Sequence, residues 1–352
     1  MGGGRTAAGG GMHISNSFLH PYRVVLAAVH VWCVLFFLAL YQHYLMASFY
    51  LTVVAVALLC YAVRKAAIPQ LDDATVNEVI FGGNITHIPV FAHRGGAHDA
   101  PENTLAAFRQ AKLNNATGIE FDLSFTHDSI AVLFHDDTLD RTTNGTGLLA
   151  KQPFNTVREL DASSYHPYGD QFKGEKIPTV EEGVEECLKL GMRIIFDVKE
   201  FDYRAVTVID DLFRNHPELY TTGLVASFFP QFIYTLRLRN PNIVTALTWR
   251  PGIVAYEDIE MRRPRHNSLW KHLGALALDW FLDWSLHNWL WYVTGNSAVL
   301  ICKNVLSSEY VSMWKQRSVH VIAWTPNHPA EKDFLMKVLQ VPIITDSLRT
   351  SV

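Results

Sequence analysis

The alternation of apolar and polar positions divides the chain into an apolar N-terminal stretch and a longer region of short apolar runs separated by amphipathic stretches. The runs are rich in β-branched and aromatic residues and predict strands at 89–93, 118–125, 193–198, 223–228, 243–249, 297–302, 319–324 and 341–345. The amphipathic stretches predict helices at 102–114, 178–190, 203–219, 229–239, 307–316 and 329–340. Eight strands joined by crossover helices predict an α/β fold, a (β/α)₈ TIM barrel, over residues 88–352.

The N-terminal stretch contains no Lys, Arg, Asp or Glu from residue 24 to residue 63. A single helix of that length would measure about 60 Å, twice the ~30 Å thickness of a hydrocarbon core. Because the polar residues 41–44 divide the stretch, we predict a transmembrane hairpin over 24–65, with one span and an interfacial segment as the alternative. We expect residues 1–23, which begin Gly- and Ala-rich, to be disordered, and we interpret 66–87 as a linker.

This stretch indicates an integral membrane protein of the plasma membrane or an endomembrane, since it is too long for a cleaved signal peptide. Two observations point to opposite sides for the barrel, and both sides stay open. A hairpin would place four basic residues on one side, which the positive-inside rule assigns to the cytosol: Arg5, Arg23, Arg64 and Lys65. Three glycosylation sequons, which begin at Asn84, Asn115 and Asn144, point instead to the lumen or the exterior.

A Trp-rich insertion, residues 250–296, follows the fifth predicted strand and holds five of the nine tryptophans: Trp270, Trp280, Trp284, Trp289 and Trp291. A third transmembrane helix is disfavoured because Asp279 and Asp283 would each cost about 2.5–3.5 kcal/mol at a helix centre. A single crossing would also separate the last three strands from the first five. With basic residues beside it, the segment is typical of an interfacial helix, and a buried helix that covers the barrel is the alternative.

The composition of the chain excludes some kinds of partner and site. The formal net charge of −4 gives no general basic surface, so we expect no nucleic-acid partner. The four cysteines are sparse and lack the spacing of metal ligands, which indicates neither a zinc site nor a disulfide framework.

Polar side chains crowd the ends of three apolar runs near the start of the predicted barrel. Glu120 and Asp122 alternate with apolar residues in GIEFDLSF, and on a strand both carboxylates leave the same face. Such a pair suits a hard divalent cation, Mg²⁺ or Ca²⁺. His93 and Arg94 follow the run PVFA, and His135 ends the run IAVLF. Two imidazoles and a guanidinium near paired carboxylates indicate phosphate chemistry, with Arg94 on the anion and the histidines moving protons.

These motifs resemble the glycerophosphodiester phosphodiesterases, and among them the membrane-anchored animal branch that acts on glycerophosphoinositol and related diesters. The residues that carry the resemblance are HRG (93–95), PENT (101–104), E-x-D (120–122), HD (135–136) and D-R-T-T (140–143), with FDVK (196–199), AWTPN (323–327) and ITDS (344–347) in the family's order. The resemblance covers roughly residues 88–350. It implies a TIM barrel with a small insertion after the second strand, here 130–175.

The resemblance also supports roles for individual residues. His93 and His135 form a proton-transfer pair, and either one is the acid or the base. Asp197 is a third carboxylate for the metal, which we expect to be Mg²⁺ with Ca²⁺ as the alternative. Many relatives have the longer Glu at this position, so Asp197 binds the metal either directly or through a water. Lys199, two residues on, is expected to neutralise phosphoryl charge beside Arg94.

Two further residues have a structural alternative. Glu102 in the PENT motif either contacts substrate or orients His93 or Arg94. Trp324 is either a core residue or an apolar wall beside the glycerol, and we favour the wall. The resemblance implies hydrolysis of a glycerophosphodiester to glycerol 3-phosphate and a free alcohol, with membrane lipid as a further partner. The alternatives are a lysophospholipase D at the membrane surface and a barrel that has lost catalysis and serves as a membrane interaction module.

Overall fold

A computed structural model describes residues 19–199 and 201–349. The chain divides into two compact units, Met1–Lys65 and Ala66–Val352. The first 18 residues of the segment predicted to be disordered lie outside the described residues, whereas 19–23 form the start of a helix.

The N-terminal stretch is one helix, α1 (Leu19–Ala66), of 48 residues. Among the described residues, α1 is the one helix long and apolar enough to cross a membrane, over Leu26–Ala66. The predicted hairpin is therefore wrong, because the structure has one continuous helix where the sequence indicated two helices joined by a turn. Residues 24–65 contain no Gly or Pro, and Tyr, Gln and His at 41–44 are compatible with a helix interior, so nothing there interrupts the backbone hydrogen bonds.

The described residues of the second unit form nine strands: β1 (Val90–His93), β2 (Gly118–Phe125), β3 (Ala131–Leu133), β4 (Arg193–Val198), β5 (Gly223–Ser227), β6 (Val244–Trp249), β7 (Ala298–Cys302), β8 (His320–Trp324) and β9 (Ile343–Thr345). Eight of them are parallel in the order β1-β9-β8-β7-β6-β5-β4-β2, and β1 also pairs with β2, which closes the barrel. The short β3 pairs antiparallel with the end of β2. The predicted TIM barrel is confirmed, and each predicted strand is present to within two residues at its ends.

The helices of this unit are α2 (Asp73–Phe81), α3 (Leu105–Leu113), α4 (Phe154–Glu159), α5 (Val180–Lys189), α6 (Tyr203–Asn215), α7 (Leu219–Thr222), α8 (Pro230–Arg239), α9 (Leu269–Ser285), α10 (Trp291–Thr294), α11 (Ser308–Lys315) and α12 (Pro329–Asp333). A π-helical turn, Leu286–Leu290, joins α9 to α10, and another, Phe334–Val338, follows α12. The predicted helix 203–219 ends earlier, at Asn215, and a turn separates it from α7.

The segment interpreted as a linker, residues 66–87, contains a helix, α2. Asp72 caps the helix by accepting a hydrogen bond from the backbone of Thr75. Val76, Val79 and Ile80 then fall on one helix face and are buried with the residues that fill the barrel interior. The position of α2 below the strands closes one end of the barrel, which leaves the opposite mouth for the polar residues.

The predicted small insertion after β2 has a core of its own. Val132, Phe134, Leu139, Leu149 and Val157 are buried together in it. This core lets the segment hold His135 and the residues after it against the barrel mouth.

Candidate active site

The strand register brings the predicted site residues to one mouth of the barrel. Phe91 and Ile195 are buried in the barrel interior, and side chains two positions further along a strand share that direction. His93 pairs with Glu120 across β1 and β2, and Asp122 pairs with Asp197 across β2 and β4. All four therefore point inward at the carboxyl ends of their strands, where barrel enzymes have their active sites.

Three carboxylates form a buried cluster at this mouth. Glu120, Asp122 and Asp197 each offer an oxygen, and these oxygens lie within 4.8 Å of one another. Burial, with repulsion from its neighbours, raises the pKa of Glu120 to about 7 and that of Asp197 to about 6. Burial also opposes ionisation of Asp122, but Lys199 and Arg94 outweigh it and hold the pKa of that carboxyl well below its usual value.

The cluster fits a hard divalent cation. Oxygen atoms are the ligands that Mg²⁺ and Ca²⁺ prefer, and Oδ1 of Asp197 is buried with no hydrogen-bond partner among the described residues. An ionised buried carboxylate needs a positive partner. Lys199 supplies one for Asp122, with 2.8 Å between Nζ and Oδ1, so Glu120 and Asp197 carry the charge that a metal would compensate.

Asn103, which the sequence reasoning did not assign, holds Asp122 in place. Its Nδ2 donates to Oδ2 of Asp122 at 2.8 Å, and its Oδ1 accepts from the backbone N–H of Asp122 at 3.2 Å. Asn103 has a φ of +57°, a conformation that Asn tolerates better than most residues. The signal for Asn103 in the sequence is the PENT motif itself, in which this Asn directly precedes Thr104, the residue that caps α3.

Arg94 lies between carboxylates. Its backbone N–H donates to Glu120 Oε2 at 2.9 Å, and its Nη1 donates to Glu102 Oε1 at 3.0 Å. Its Nε lies 3.4 Å from Oδ2 of Asp122. The sharp turn that permits this has Arg94 at φ +53° and Gly95 and Gly96 at φ +85° and +89°; a Cβ on Gly95 would lie 2.7 Å from Ala107. The guanidinium is thus fixed at the edge of the cluster.

A second network connects Glu102 to His135 through Arg141, a residue that sequence reasoning placed only inside the D-R-T-T motif. Arg141 donates to both oxygens of Glu102 at 2.7 and 2.8 Å, and its Nε donates to Asp136 Oδ2 at 2.6 Å. Asp136 Oδ1 in turn lies 2.5 Å from Nδ1 of His135. Glu102 therefore contacts both Arg94 and Arg141.

The two histidines have matching geometry and opposite pKa shifts. Nδ1 of His93 lies 2.5 Å from Oδ1 of Asp346, so each ring has Nδ1 on a carboxylate; Nε2 of His93 lies 3.9 Å from Oε2 of Glu120. Burial lowers the pKa of His93, but the Glu120 and Asp346 carboxylates outweigh it and raise that pKa above its usual value. Burial keeps the pKa of His135 below its usual value despite Asp136.

Two cavities flank the cluster. One, of about 460 Å³, is lined by His93, Arg94, Glu102, Arg141, Tyr165 and Asp346 among others. The other, of about 390 Å³, is lined by Phe125, His135, Asp136 and Lys199 among others. Trp324 lies at the same mouth, where it packs on the barrel interior and meets Phe228 with ring centroids 6.0 Å apart. A phosphodiester at the cluster would therefore have room for a group on each side.

Known proteins are similar to this chain over most of the barrel unit. The model of the glycerophosphoryl diester phosphodiesterase family matches residues 93–350. The chain is 45% identical over 261 residues to glycerophosphodiester phosphodiesterase 1 of Bos taurus, which covers 74% of this chain and 78% of that protein. It is 45% identical over 263 residues to a glycerophosphodiester phosphodiesterase of Caldanaerobacter subterraneus, which covers 74% and 95%.

A solved structure shares the fold. It is a phosphodiesterase of Oleispira antarctica in complex with the product sn-glycerol-3-phosphate, with a TM-score of 0.57 and 24% identity over 73% of this chain and 92% of that chain. The family match covers most of the barrel unit, and each of the two relatives is identical to this chain at nearly half of the aligned positions. The chain therefore belongs to the glycerophosphoryl diester phosphodiesterase family and is a phosphodiester hydrolase.

Proposed function

We propose that the barrel hydrolyses glycerophosphodiesters, such as glycerophosphoinositol or glycerophospho-N-acylethanolamine, to glycerol 3-phosphate and the free alcohol in glycerophospholipid metabolism. The observation that carries this proposal is the pairing of two carboxylate-bound histidines, His93 and His135, with one buried carboxylate cluster. Hydrolysis of a phosphodiester needs one group to deprotonate the nucleophile and another to protonate the leaving alkoxide. The names of the relatives support the glycerol half of the substrate.

Glu120, Asp122 and Asp197 are the residues that we assign to a divalent metal, Mg²⁺ with Ca²⁺ as the alternative. Such an ion, when bound, would stabilise negative charge on the phosphoryl oxygens. The unpartnered Oδ1 of Asp197 supports direct binding over binding through a water.

The chain's own groups complete the site. Lys199 and Arg94 supply positive charge beside the cluster, where they bind the phosphoryl oxygens. Glu102 orients Arg94 through the hydrogen bond between them. Trp324 forms an apolar wall at the mouth, on which the glycerol carbons pack. The proton transfers belong to Nε2 of His93 and of His135, because Nδ1 of each ring is engaged by a carboxylate.

A panel of head groups tests the substrate. Purified full-length protein is incubated with glycerophosphoinositol, glycerophosphocholine, a glycerophospho-N-acylethanolamine and lysophospholipids, and glycerol 3-phosphate is measured for each. Release from the glycerophosphodiesters supports the proposal. Cleavage confined to lysophospholipids would replace it with a lysophospholipase D, an alternative favoured by the exposed apolar residues of α9 such as Trp280. No cleavage of any substrate would favour a membrane interaction module.

We also propose that α1 anchors the protein in the plasma membrane or an endomembrane. At 1.5 Å per residue its apolar part of 41 residues measures about 60 Å, about twice a bilayer core, so a span of about 20 residues fits within it. The barrel then works beside a membrane, on either side. The test is extraction of membranes with alkaline carbonate: the full chain should stay with the lipid, and recovery in the supernatant would contradict an integral anchor.

A further inference from the structure

The Trp-rich insertion forms a helix whose apolar side faces solvent. On α9, positions 273, 277, 280 and 284 have helical spacing and lie on one face. Side chains on this face and beside it are exposed, and they are apolar: Leu269, Trp270, Leu273, Leu276, Trp280, Phe281 and Trp284. Trp270 and Trp280 have 80% and 69% of their surface exposed, values far above what large aromatic residues have in a soluble barrel. We refer to these seven residues as the α9 face.

Two polar residues of α9, Asp279 and His272, lie toward the protein instead. Asp279 accepts hydrogen bonds from the backbone N–H groups of Val254 and Ala255, each at 2.8 Å. Asp283 lies 3.0 Å from Nδ1 of His287, and His272 packs edge-on against Tyr256. The exposed side of α9 is therefore mainly apolar, unlike that of an ordinary surface helix. Asp279 thus has protein partners on the side away from the α9 face, whereas the side chain of Asp283 is half exposed.

α9 rises beyond the mouth of the barrel on the active-site side. The rings of Trp249, the last residue of β6, and His287 have centroids 5.2 Å apart, so His287 is level with the carboxyl end of that strand. The crossover from β6 returns to the start of the parallel β7, and the preceding residues 269–286 therefore extend past the strand ends. At 1.5 Å per residue this part measures about 27 Å.

Positive charge accompanies the α9 face. Arg262, Arg263, Arg265 and Lys271 are exposed at and before the start of the helix. Asp258 fixes the turn that presents them by accepting from the backbone N–H groups of Arg262 and Arg263 at 3.0 and 2.7 Å. Aromatic residues beside basic ones match the headgroup region of an anionic bilayer.

A transmembrane orientation of α9 does not fit this fold, because β7, β8 and β9, which follow it, complete the same closed barrel as β1 to β6. We propose that the α9 face docks on an anionic phospholipid bilayer, lying in its interface, and holds the mouth of the barrel beside that membrane. A second copy of the chain fits less well, since it would present the same positive charges. The proposal does not depend on the substrate or on α1.

The test places an environment-sensitive label on the α9 face of the full-length chain. Cys33 and Cys60 are changed to Ser, and Cys187 and Cys302 are buried. Gly274→Cys carries the label, because a Cβ there has nothing within 4 Å. Leu113→Cys on α3, where Leu113 is 75% exposed, is the matched control. Both proteins are reconstituted into vesicles of phosphatidylcholine with or without phosphatidylserine, some with lipids that carry a quencher in their acyl chains.

We expect the label at 274 to shift to the blue and to be quenched by the lipids, with a larger effect when phosphatidylserine is present, while the label at 113 stays in water. Trp280→Ser with Trp284→Ser should reduce the quenching severalfold without changing hydrolysis of a soluble substrate. Arg262→Glu with Arg263→Glu should remove the phosphatidylserine dependence, and Lys112→Glu should not.

An aqueous label at 274 in both vesicles would overturn the proposal. A label that is shielded equally in detergent, with self-quenching that grows with protein concentration, would overturn it in favour of contact between two copies. Resistance of the vesicle-bound protein to alkaline carbonate is measured on the same samples. It reports on α1 alone, so failure of the α1 anchor and failure of the α9 contact give different results.

Discussion

Nδ1 of His93 lies 2.5 Å from Oδ1 of Asp346, a residue 253 positions later in the chain. Asn327 donates from its Nδ2 to the other oxygen of Asp346 at 2.6 Å, so the carboxylate is fixed from both sides. The pairing of β1 with β9 produces this contact when the barrel closes. Asp346 therefore holds the His93 ring in place through Nδ1.

Asp346→Asn should lower kcat by about 10- to 100-fold, the usual cost of removing a partner that orients a catalytic ligand, with KM little changed. Since Asp346 helps raise the pKa of His93, the limb of the pH–rate profile that reports this histidine should move to lower pH. Steady-state kinetics over a range of pH measures both effects. The exposed Asp170→Asn is the control. An unchanged profile with reduced kcat would mean that Asp346 only supports the fold.

His93→Ala and His135→Ala should each lower kcat by about 10²–10⁴-fold, with a smaller effect on substrate binding. A diester with a good leaving group needs no general acid, so it should rescue one variant and leave the other impaired. The rescued variant identifies the acid. Turnover close to that of the unmodified protein in either variant would show that the role is misassigned.

Arg141 joins Glu102 to Asp136, and a double-mutant cycle measures the contribution of that bridge. Arg141→Gln and Glu102→Gln should each lower kcat, and the double variant should lose less than the sum of the two losses. The Arg141 side chain is about half exposed, so we expect a coupling energy of only about 0.5–1 kcal/mol. Additive losses would show that the two residues act independently.

Metal binding to the metal-free protein should weaken as the pH falls. Burial raises the pKa of Glu120 to about 7 and that of Asp197 to about 6, and both carboxyls must lose their protons to bind a cation. Their protonated forms accumulate below these values, so the affinity should be full above pH 8 and should fall through pH 7 and 6. Calorimetric titration with Mg²⁺ measures it. An affinity that is constant from pH 8 to pH 6 would contradict the assignment of these two ligands.

The barrel could be predicted from the sequence because each strand is a local apolar run, and strands such as Gly118–Phe125 begin and end where that pattern does. The positions of Glu120 and Asp122 followed from the two-residue period of a strand. The hairpin does not form because residues 41–44 are polar but include no helix-breaking residue, so the helix continues through them. The contacts of Asp346 with His93 and of Arg141 with Glu102 depend on closure of the barrel, which no local pattern contains.

The central claim is that one metal-dependent site at the mouth of the barrel cleaves glycerophosphodiesters. Its most direct test is the rate of glycerol 3-phosphate release from glycerophosphoinositol by the full-length protein, measured in EDTA and again after addition of excess Mg²⁺, with Asp122→Asn beside it. We expect release to stop in EDTA and to return with Mg²⁺, while the Asp122→Asn variant, folded by circular dichroism, is inactive in both conditions. Full activity in EDTA, or an active Asp122→Asn variant, would contradict the account.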